Sequence, residues 1–351
     1  MLGPGRYDID RDALGTLLAD EPAYRLAQLW DGLYARGAAL EDLTELPKPL
    51  RTRLASELPD SLRSAGESVS DGGDTVKWLW QLHDGAHVET VLMHYEDRST
   101  VCVSTQAGCA MACGFCATGQ AGFERNLSSG EIVEQVMRAT RHARPRRVDN
   151  VVFMGMGEPL ANYDSTWSAI GRLHADVGIS ARHLTVSTVG IVPGIMRMAN
   201  EPLPVNLAVS LHAADDTLRN ELVPINRRYP LGALLDACRS YLAAKNRRLS
   251  FEWALIDGTN DRAEDARGLA DLTRSLAAHV NLIPLNPTPG YPVRGTPREG
   301  VVRFRDLLRG LGVNVTIRQN RGTDIDAACG QLRARVRRDI GVSAPTRSSS
   351  R

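Results

Sequence analysis

From residue 100 onward the chain alternates strand-like and helix-like segments, and no other feature restricts its fold so strongly. The strand-like runs are "TVCVST", "NVVFMGM", "HLTVSTV", "NLAVSLH", "LSFEWALI" and "VNLIPLN". Between them lie helix-like segments such as "SSGEIVEQVMRATRHA", "DSTWSAIGRLHADV", "PLGALLDACRSYLAAK", "AEDARGLADLTRSLAAH" and "EGVVRFRDLLRGLG". Ser128 or Ser129 can cap the first of these, with Glu131 in its first turn. A last run, "NVTIR", precedes "QNRGTDIDAACGQL". Six consecutive strand–helix units require a parallel sheet, because each parallel pairing needs a crossover. The sheet is either open and doubly wound or curled into a full or partial barrel.

Upstream, residues 1 to about 70 read as helical, with apolar residues at helical intervals and breaks at Pro22 and Pro47. "SVSDGGDT" reads as a linker. "TVKWLWQLHDGAHVETVLMHY" then gives two strand-like runs hinged at Asp84-Gly85. The expected organisation is a helical accessory domain over 1–72, a β-hairpin lead-in over 73–99, a core over 100–330, and a C-terminal helix with a disordered tail over 331–351.

Each strand of the core reads as apolar along its body and polar where it ends. The ends are Gly157 and Glu158, Ser187 and Thr188, Ser210 and His212, and Asn286. Folds of this class place ligands at the carboxyl ends of parallel strands, so four such ends in register mark a candidate site.

Three of the six cysteines crowd into "CAMACGFC", just after the first core strand. Cys109, Cys113 and Cys116 have C-x3-C-x2-C spacing, with Phe115 before the last. Lys and Arg (42) balance Asp and Glu (41), so no global basic field points to nucleic acid. The start "MLGPGRYDIDRDALG" lacks an apolar signal stretch and no run is long enough to span a membrane. A cytoplasmic location is expected, where clustered cysteines read as metal or catalytic sites. Structural zinc normally closes with four ligands, and here it would have to borrow Cys102 or a histidine. A four-iron, four-sulfur cluster held by three thiolates leaves one iron open for a substrate.

The triplet and its context resemble the RlmN/Cfr family of radical S-adenosylmethionine (SAM) RNA methyltransferases. "VCVSTQAGCAMACGFCATGQAGFERNLSSGEIVEQV", "NVVFMGMGEPLANY", "LTVSTVG", "AVSLHA", "VPINRRY", "NLIPLNPTPG" and "RGTDIDAACGQL" look like that family's blocks in its order, over roughly residues 20 to 335. The resemblance implies a partial (β/α)6 radical SAM barrel, with an N-terminal helical domain as a candidate RNA-binding region. Cys109, Cys113 and Cys116 match the ligands of one [4Fe-4S] cluster. Gly157, Glu158, Ser187, Ser210, Leu211, His212 and Asn286 match SAM contacts. Reductive cleavage of SAM then gives a 5′-deoxyadenosyl radical, with flavodoxin or ferredoxin as the type of electron donor.

An adenine C2 or C8 has no lone pair to attack a methyl group, so the family carries the methyl on protein sulfur. By resemblance, Cys329 accepts a methyl from one SAM and a second SAM activates it. The carbon radical joins protein to RNA, the acid matching Glu89 removes the ring proton, and Cys102 attacks the Cys329 sulfur to leave a transient disulfide. Taken without the family, Glu89 reads as a solvent-facing acid on a hairpin, and Cys102 and Cys329 as small buried residues. Cys238 stays in that last class. The expected substrate is an adenosine of 23S rRNA, methylated at C2, with the tRNA anticodon loop as a further candidate. The alternatives are C8 methylation of the same base, a resistance activity, and a zinc-stabilised RNA-binding module without catalysis. Candidate phosphate contacts are Arg141, Arg144, Arg146, Arg147, Arg227, Arg228 and the arginines from 333 to 338. A monomer is expected.

Overall fold

The computed structural model describes residues 5–288, 290–328 and 330–332. Cys329 and the arginines from 333 to 338 lie outside the described residues.

Three helices open the chain: α1 (Arg11–Leu17), α2 (Tyr24–Leu33) and α3 (Lys48–Glu57). Asp10 caps α1 by accepting from the Ala13 N–H at 2.7 Å. Leu14, Leu29, Leu33, Leu50 and Leu54 bury the apolar faces. Helix ends at Glu57, so the helical expectation for residues up to about 70 is corrected: Arg63–Ser70 is strand β1. Its sequence, "RSAGESVS", is exposed over most of its length. It therefore carries no apolar alternation to announce a strand, and pairing with its neighbour supplies the order. β2 (Thr75–Gln81) and β3 (His87–His94) form the expected hairpin about Asp84-Gly85.

The core follows as β4 (Ser99–Cys102), β5 (Gln106–Gly108), α4 (Ala117–Ala121), β6 (Phe123–Asn126), α5 (Ser129–Ala143), β7 (Asn150–Phe153), α6 (Tyr163–Ala175), β8 (Leu184–Thr188) and α7 (Val192–Asn200). It continues with β9 (Asn206–Ser210), α8 (Asp216–Leu222), α9 (Leu231–Lys245), β10 (Leu249–Leu255), α10 (Ala263–Arg274), β11 (His279–Pro284), α11 (Arg298–Gly310) and β12 (Val315–Ile317). Ser128 and Glu131 form a full capping box on α5. One sheet runs β1-β2-β3-β4-β7-β8-β9-β10-β11-β12. It is antiparallel as far as β4 and parallel beyond it.

The sheet is curled into a partial barrel. β7 and β12 are five positions apart, which in a flat sheet would be about 24 Å. Yet Arg318 Nη1, just past β12, lies 3.8 Å from Met154 Sδ, just past β7. The two edges meet through polar contacts. Gly322 N–H donates to Asp71 Oδ2 at 3.1 Å, and Ser70 Oγ donates to Asp324.

Curling explains a pattern that differs from the expectation of apolar strand bodies. Pairing puts Val151, Phe153, Leu184, Val186, Leu207, Val209, Phe251, Trp253, Val280 and Leu282 on one face, where they are buried. Between them Thr185, Ser187, Ser210, Glu252 and Asn281 face the other way. A parallel sheet covered by helices on both sides reads as continuous apolar runs. Here helices cover only the convex face, and the concave face becomes a polar interior.

The N-terminal helices dock on the convex side. Trp30 Nε1 donates to Asp176 at 3.1 Å, and Arg172 Nη1 to the Tyr34 hydroxyl at 3.1 Å. Arg141 and Arg144, read above as candidate RNA contacts, also serve here. They donate to the Ala38 carbonyl (3.4 Å) and to the Arg36 carbonyl, respectively.

Candidate active site

The cysteine loop is built by a two-stranded ribbon. β5 pairs with β6, and the loop and α4 bulge out between them. Gly108 makes this possible: it adopts φ +74, and a side chain there would strike the Gly122 carbonyl. Cys109 N–H donates to that same carbonyl at 2.7 Å. The loop thus hangs over the carboxyl ends of the parallel strands.

One cavity gathers Cys109, Cys113 and Cys116 with Gly157, Glu158, Ser187, Ser210, His212 and Asn286. Leu211 is the exception among the expected SAM contacts. Its side chain is in the hydrophobic core, and its N–H donates to the Glu252 carbonyl at 3.0 Å. Sequence reasoning missed Glu252 and Arg318, which also line the cavity. The signal was available in the alternation of "LSFEWAL", where a charged residue breaks an apolar run.

Each strand end is fixed by a specific contact. Gly157, at φ +97, packs against Gln106, and an added Cβ would come within 2.7 Å of that residue's backbone nitrogen. Glu158 is buried and accepts from the Val189 N–H at 2.9 Å and the Leu160 N–H at 3.0 Å. Burial pushes its carboxyl up to about 7, although both bonds favour the anion. His212 holds a left-handed conformation at φ +61. Its Nδ1 accepts from the Ala254 N–H at 3.0 Å, which leaves the proton on Nε2. Burial, with help from the Arg219 charge, lowers it to about 3, so the ring is neutral at physiological pH. Asn286 Oδ1 accepts from Asn320 at 2.8 Å.

Burial drives the Cys109 thiol up to about 12, and raises Cys113 as well. Ionising these sulfurs therefore needs a bound cation. Three cysteines on one loop, opening onto a cavity of ligand-binding type, suit a cluster with one iron left open.

Glu89 and Cys102 lie outside this cavity but next to it. Glu89 is buried, not solvent-facing, and its Oε1 is 3.2 Å from Lys77 Nζ. Lys77 also donates to the Asp326 carbonyl at 3.2 Å, which ties the "DIDAACGQL" block to β2. Lys77 is opposite Val91, Val91 is opposite Cys102, and Glu89 is one same-face step along β3. Cys102 lines a small cavity with Ala327, Ala328 and Leu332. That cavity shares Met154, Arg318 and Leu332 with the first. The block is also pinned to the cysteine loop: Ala117 N–H donates to the Gly330 carbonyl (2.7 Å) and Thr118 Oγ1 to the Leu332 carbonyl (2.6 Å).

Comparison with known proteins agrees with this geometry. Residues 103–270 match the radical SAM superfamily. The dual-specificity RNA methyltransferase RlmN 1 of Myxococcus xanthus is 49% identical, over 97% of this chain and 97% of its own. The chain belongs to the RlmN family of radical SAM RNA methyltransferases. A family relative from Chloroflexus aurantiacus is 52% identical, over 94% of this chain and 92% of that one. The crystal structure of a radical SAM methyltransferase from Sphaerobacter thermophilus superposes with a TM-score of 0.91 at 50% identity, covering 94% of this chain and 99% of that one. The family uses SAM and a [4Fe-4S] cluster. Membership makes the chain an enzyme and sets aside the zinc-stabilised module without catalysis. No helix among the described residues is long and apolar enough to cross a membrane.

Proposed function

We propose that the enzyme methylates C2 of an adenosine in 23S rRNA, and of one in the tRNA anticodon loop, through a methylated cysteine. The observation that carries this reading is the pair of adjoining cavities. One holds the cysteine triplet and the strand ends; the other holds Cys102 against the block that contains Cys329. In this reading Cys109, Cys113 and Cys116 hold the cluster. Glu158, Ser187, Ser210, His212 and Asn286 surround SAM, with Gly157 and the Leu211 backbone giving it room. When bound, the cluster and SAM supply the means to remove a hydrogen atom from an unactivated methyl group.

The remaining roles fall to protein side chains. The Cys329 thiolate attacks the methyl carbon of one SAM, which leaves as S-adenosylhomocysteine. A second SAM would be needed to activate that methyl group; its carbon would bond to the base, and the adduct's unpaired electron would pass to a one-electron acceptor such as the oxidised cluster. Glu89 takes the proton from the ring carbon, held in place by Lys77. The Cys102 thiolate attacks the Cys329 sulfur, the bond between that sulfur and the methylene carbon breaks, the released carbon takes up a proton to become the new methyl group, and a disulfide remains for reduction. A low-potential donor of the flavodoxin or ferredoxin kind supplies electrons in the cytoplasm. The N-terminal helical region is the RNA-binding candidate, and Arg227 and Arg228 are exposed and available for phosphate contact.

The test is Cys102→Ala. This variant should accumulate RNA bonded to protein through Cys329, visible on a denaturing gel, whereas Cys329→Ala should give neither adduct nor product. Free methylated adenosine from Cys102→Ala would refute the resolving role. Mass spectrometry of the product nucleosides separates C2 from C8.

A further inference from the structure

Arg219, on α8, is fully buried, and its hydrogen bonds end on neutral acceptors. Nε donates to the Leu211 carbonyl at 3.0 Å, and Nη1 to Asn226 Oδ1 at 2.6 Å. Nη2 donates to the carbonyls of Val189 at 2.7 Å and Ser210 at 3.2 Å. Among the described residues no carboxylate forms an ion pair with it within 4.0 Å. A buried guanidinium without a counter-charge is costly, so its compensation has to come from something nearby.

The neighbourhood identifies that source. α8 and the residue after it lie against the cysteine loop: Leu222 and Val223 join Cys113 in one buried apolar cluster, which Phe115 and Cys116 border. The strongest charged neighbour of Arg219 is the Cys113 sulfur when ionised, ahead of Asp216. The same guanidinium spans two strand ends. Val189 lies two residues beyond Ser187, and Leu211 immediately precedes His212.

We propose that Arg219 is a positioning residue with two tasks: it is the fixed counter-charge of the three-thiolate site, and it straps the ends of β8 and β9 at the spacing SAM requires. The inference rests on the reading that Cys109, Cys113 and Cys116 hold the cluster. Reduction of a [4Fe-4S] cluster by one electron from a low-potential donor adds one negative charge. A fixed positive charge favours the more negative form, so Arg219 raises the reduction potential.

Two variants separate the tasks. Arg219→Lys keeps the charge but cannot reach three carbonyls and an amide from one nitrogen. Arg219→Gln removes the charge. The full-length protein is reconstituted without air and its iron content is measured first. A dithionite titration without SAM, followed by electron paramagnetic resonance, then gives the potential, and a binding titration gives the SAM affinity. Arg219→Gln should lower the reduced-to-oxidised ratio at a given applied potential about tenfold, equivalent to about 59 mV for one electron. Arg219→Lys should hold that ratio within about threefold but weaken SAM binding about tenfold. An unchanged potential in Arg219→Gln overturns the counter-charge, and unchanged SAM affinity in Arg219→Lys overturns the strap. Should Arg219→Gln not fold, Asn226→Asp sets a carboxylate on Nη1 with the strap intact; it should lower the potential too, and an unchanged value there overturns the proposal. Wild-type protein that binds no iron would instead refute the cluster reading, before any potential is measured.

Discussion

The two halves of the sheet bring polar side chains to one interior by different routes. In the parallel half most arrive at strand ends: Glu158 after β7, Ser187 next to the end of β8, Ser210 closing β9 and Asn286 beyond β11, with Glu252 of β10 the mid-strand exception. In the antiparallel half they come from mid-strand. Lys77 and Glu89 sit inside β2 and β3, flanked by Val76 and Trp78 and by Val88 and Thr90. The difference follows from chain direction and covering. Parallel strands all run the same way, so the loops that leave them gather polar groups at one end, where ligands bind. In the hairpin, same-face positions such as Lys77, Glu89 and Val91 share one face wherever they fall along the strands. In the proposed function the cofactor belongs to the parallel half and the chemistry on the base to the antiparallel half.

The largest expected effect tests the first assignment. Replacing Cys109, Cys113 or Cys116 singly by Ala should abolish bound iron and SAM cleavage, measured as iron content and 5′-deoxyadenosine. Far-ultraviolet circular dichroism should stay native, since the loop hangs outside the sheet. The second assignment predicts a different loss. Glu89→Gln should cut RNA methylation by about 10²–10⁴-fold, the usual range for a lost general base. Iron content and SAM affinity should stay within about twofold. A Glu89→Gln protein that fails to hold its cluster would erase the division between the halves.

The same contrast decides what could be read from the sequence. Residues at strand ends interrupt apolar runs and stand out, so most of the polar side chains lining the cavity were legible. The capping box of α5 was legible too, because Ser128 and Glu131 lie three apart before an apolar stretch. Mid-strand residues alternate with apolar ones and look like ordinary surface: Glu89 read as solvent-facing yet is buried against Lys77. Glu252 was lost in the same way. Arg219 had no mark at all, because a lone arginine in "DDTLRNEL" carries no periodicity that reveals burial. α7 was not among the segments read as helix-like; it starts with Pro193 in its first turn, a position where proline suits a helix. β1 and the short β5–β6 ribbon were missed because neither has an apolar face. Leu211 was assigned by its match to the family's SAM contacts; period-two alternation puts its side chain in the core, so only its backbone faces the site.

A smaller effect is expected at the end of β7. Glu158→Ala removes a buried carboxylate that the cavity presents beside the cysteines. Charge-assisted hydrogen bonds contribute about 1.5–3 kcal/mol, so SAM affinity should fall about tenfold to a hundredfold in a binding titration. The cluster should still form. Loss of iron together with SAM affinity would mean that Glu158 supports the loop and not the ligand.

The smallest effect is a pH dependence, and it too belongs to the parallel half. The carboxyl of Glu158 is raised by burial from an ordinary 4.5 to about 7. Below pH 4.5 it is protonated in both the folded and the unfolded chain, and burial then has no ionisation cost. Between pH 4.5 and about 7 the unfolded chain ionises first, so the folded state loses stability as pH rises, and above about 7 the loss is complete. At 1.36 kcal/mol per unit the loss is about 3 kcal/mol as an order of magnitude. In urea denaturation of cluster-free protein, the change in stability from pH 5 to pH 8 should therefore be more negative in the wild type than in Glu158→Gln, by up to that amount. SAM should oppose the trend, because its ammonium group favours the ionised carboxylate, and its affinity should rise between pH 6 and 8. His212 acts in the opposite sense: held neutral when folded, it ionises only in the unfolded chain below about pH 6.5, so its burial costs stability there and none above, equally in both proteins. Equal slopes for the wild type and Glu158→Gln would show that the carboxyl ionises freely, and the cavity would then be wetter than its buried lining implies.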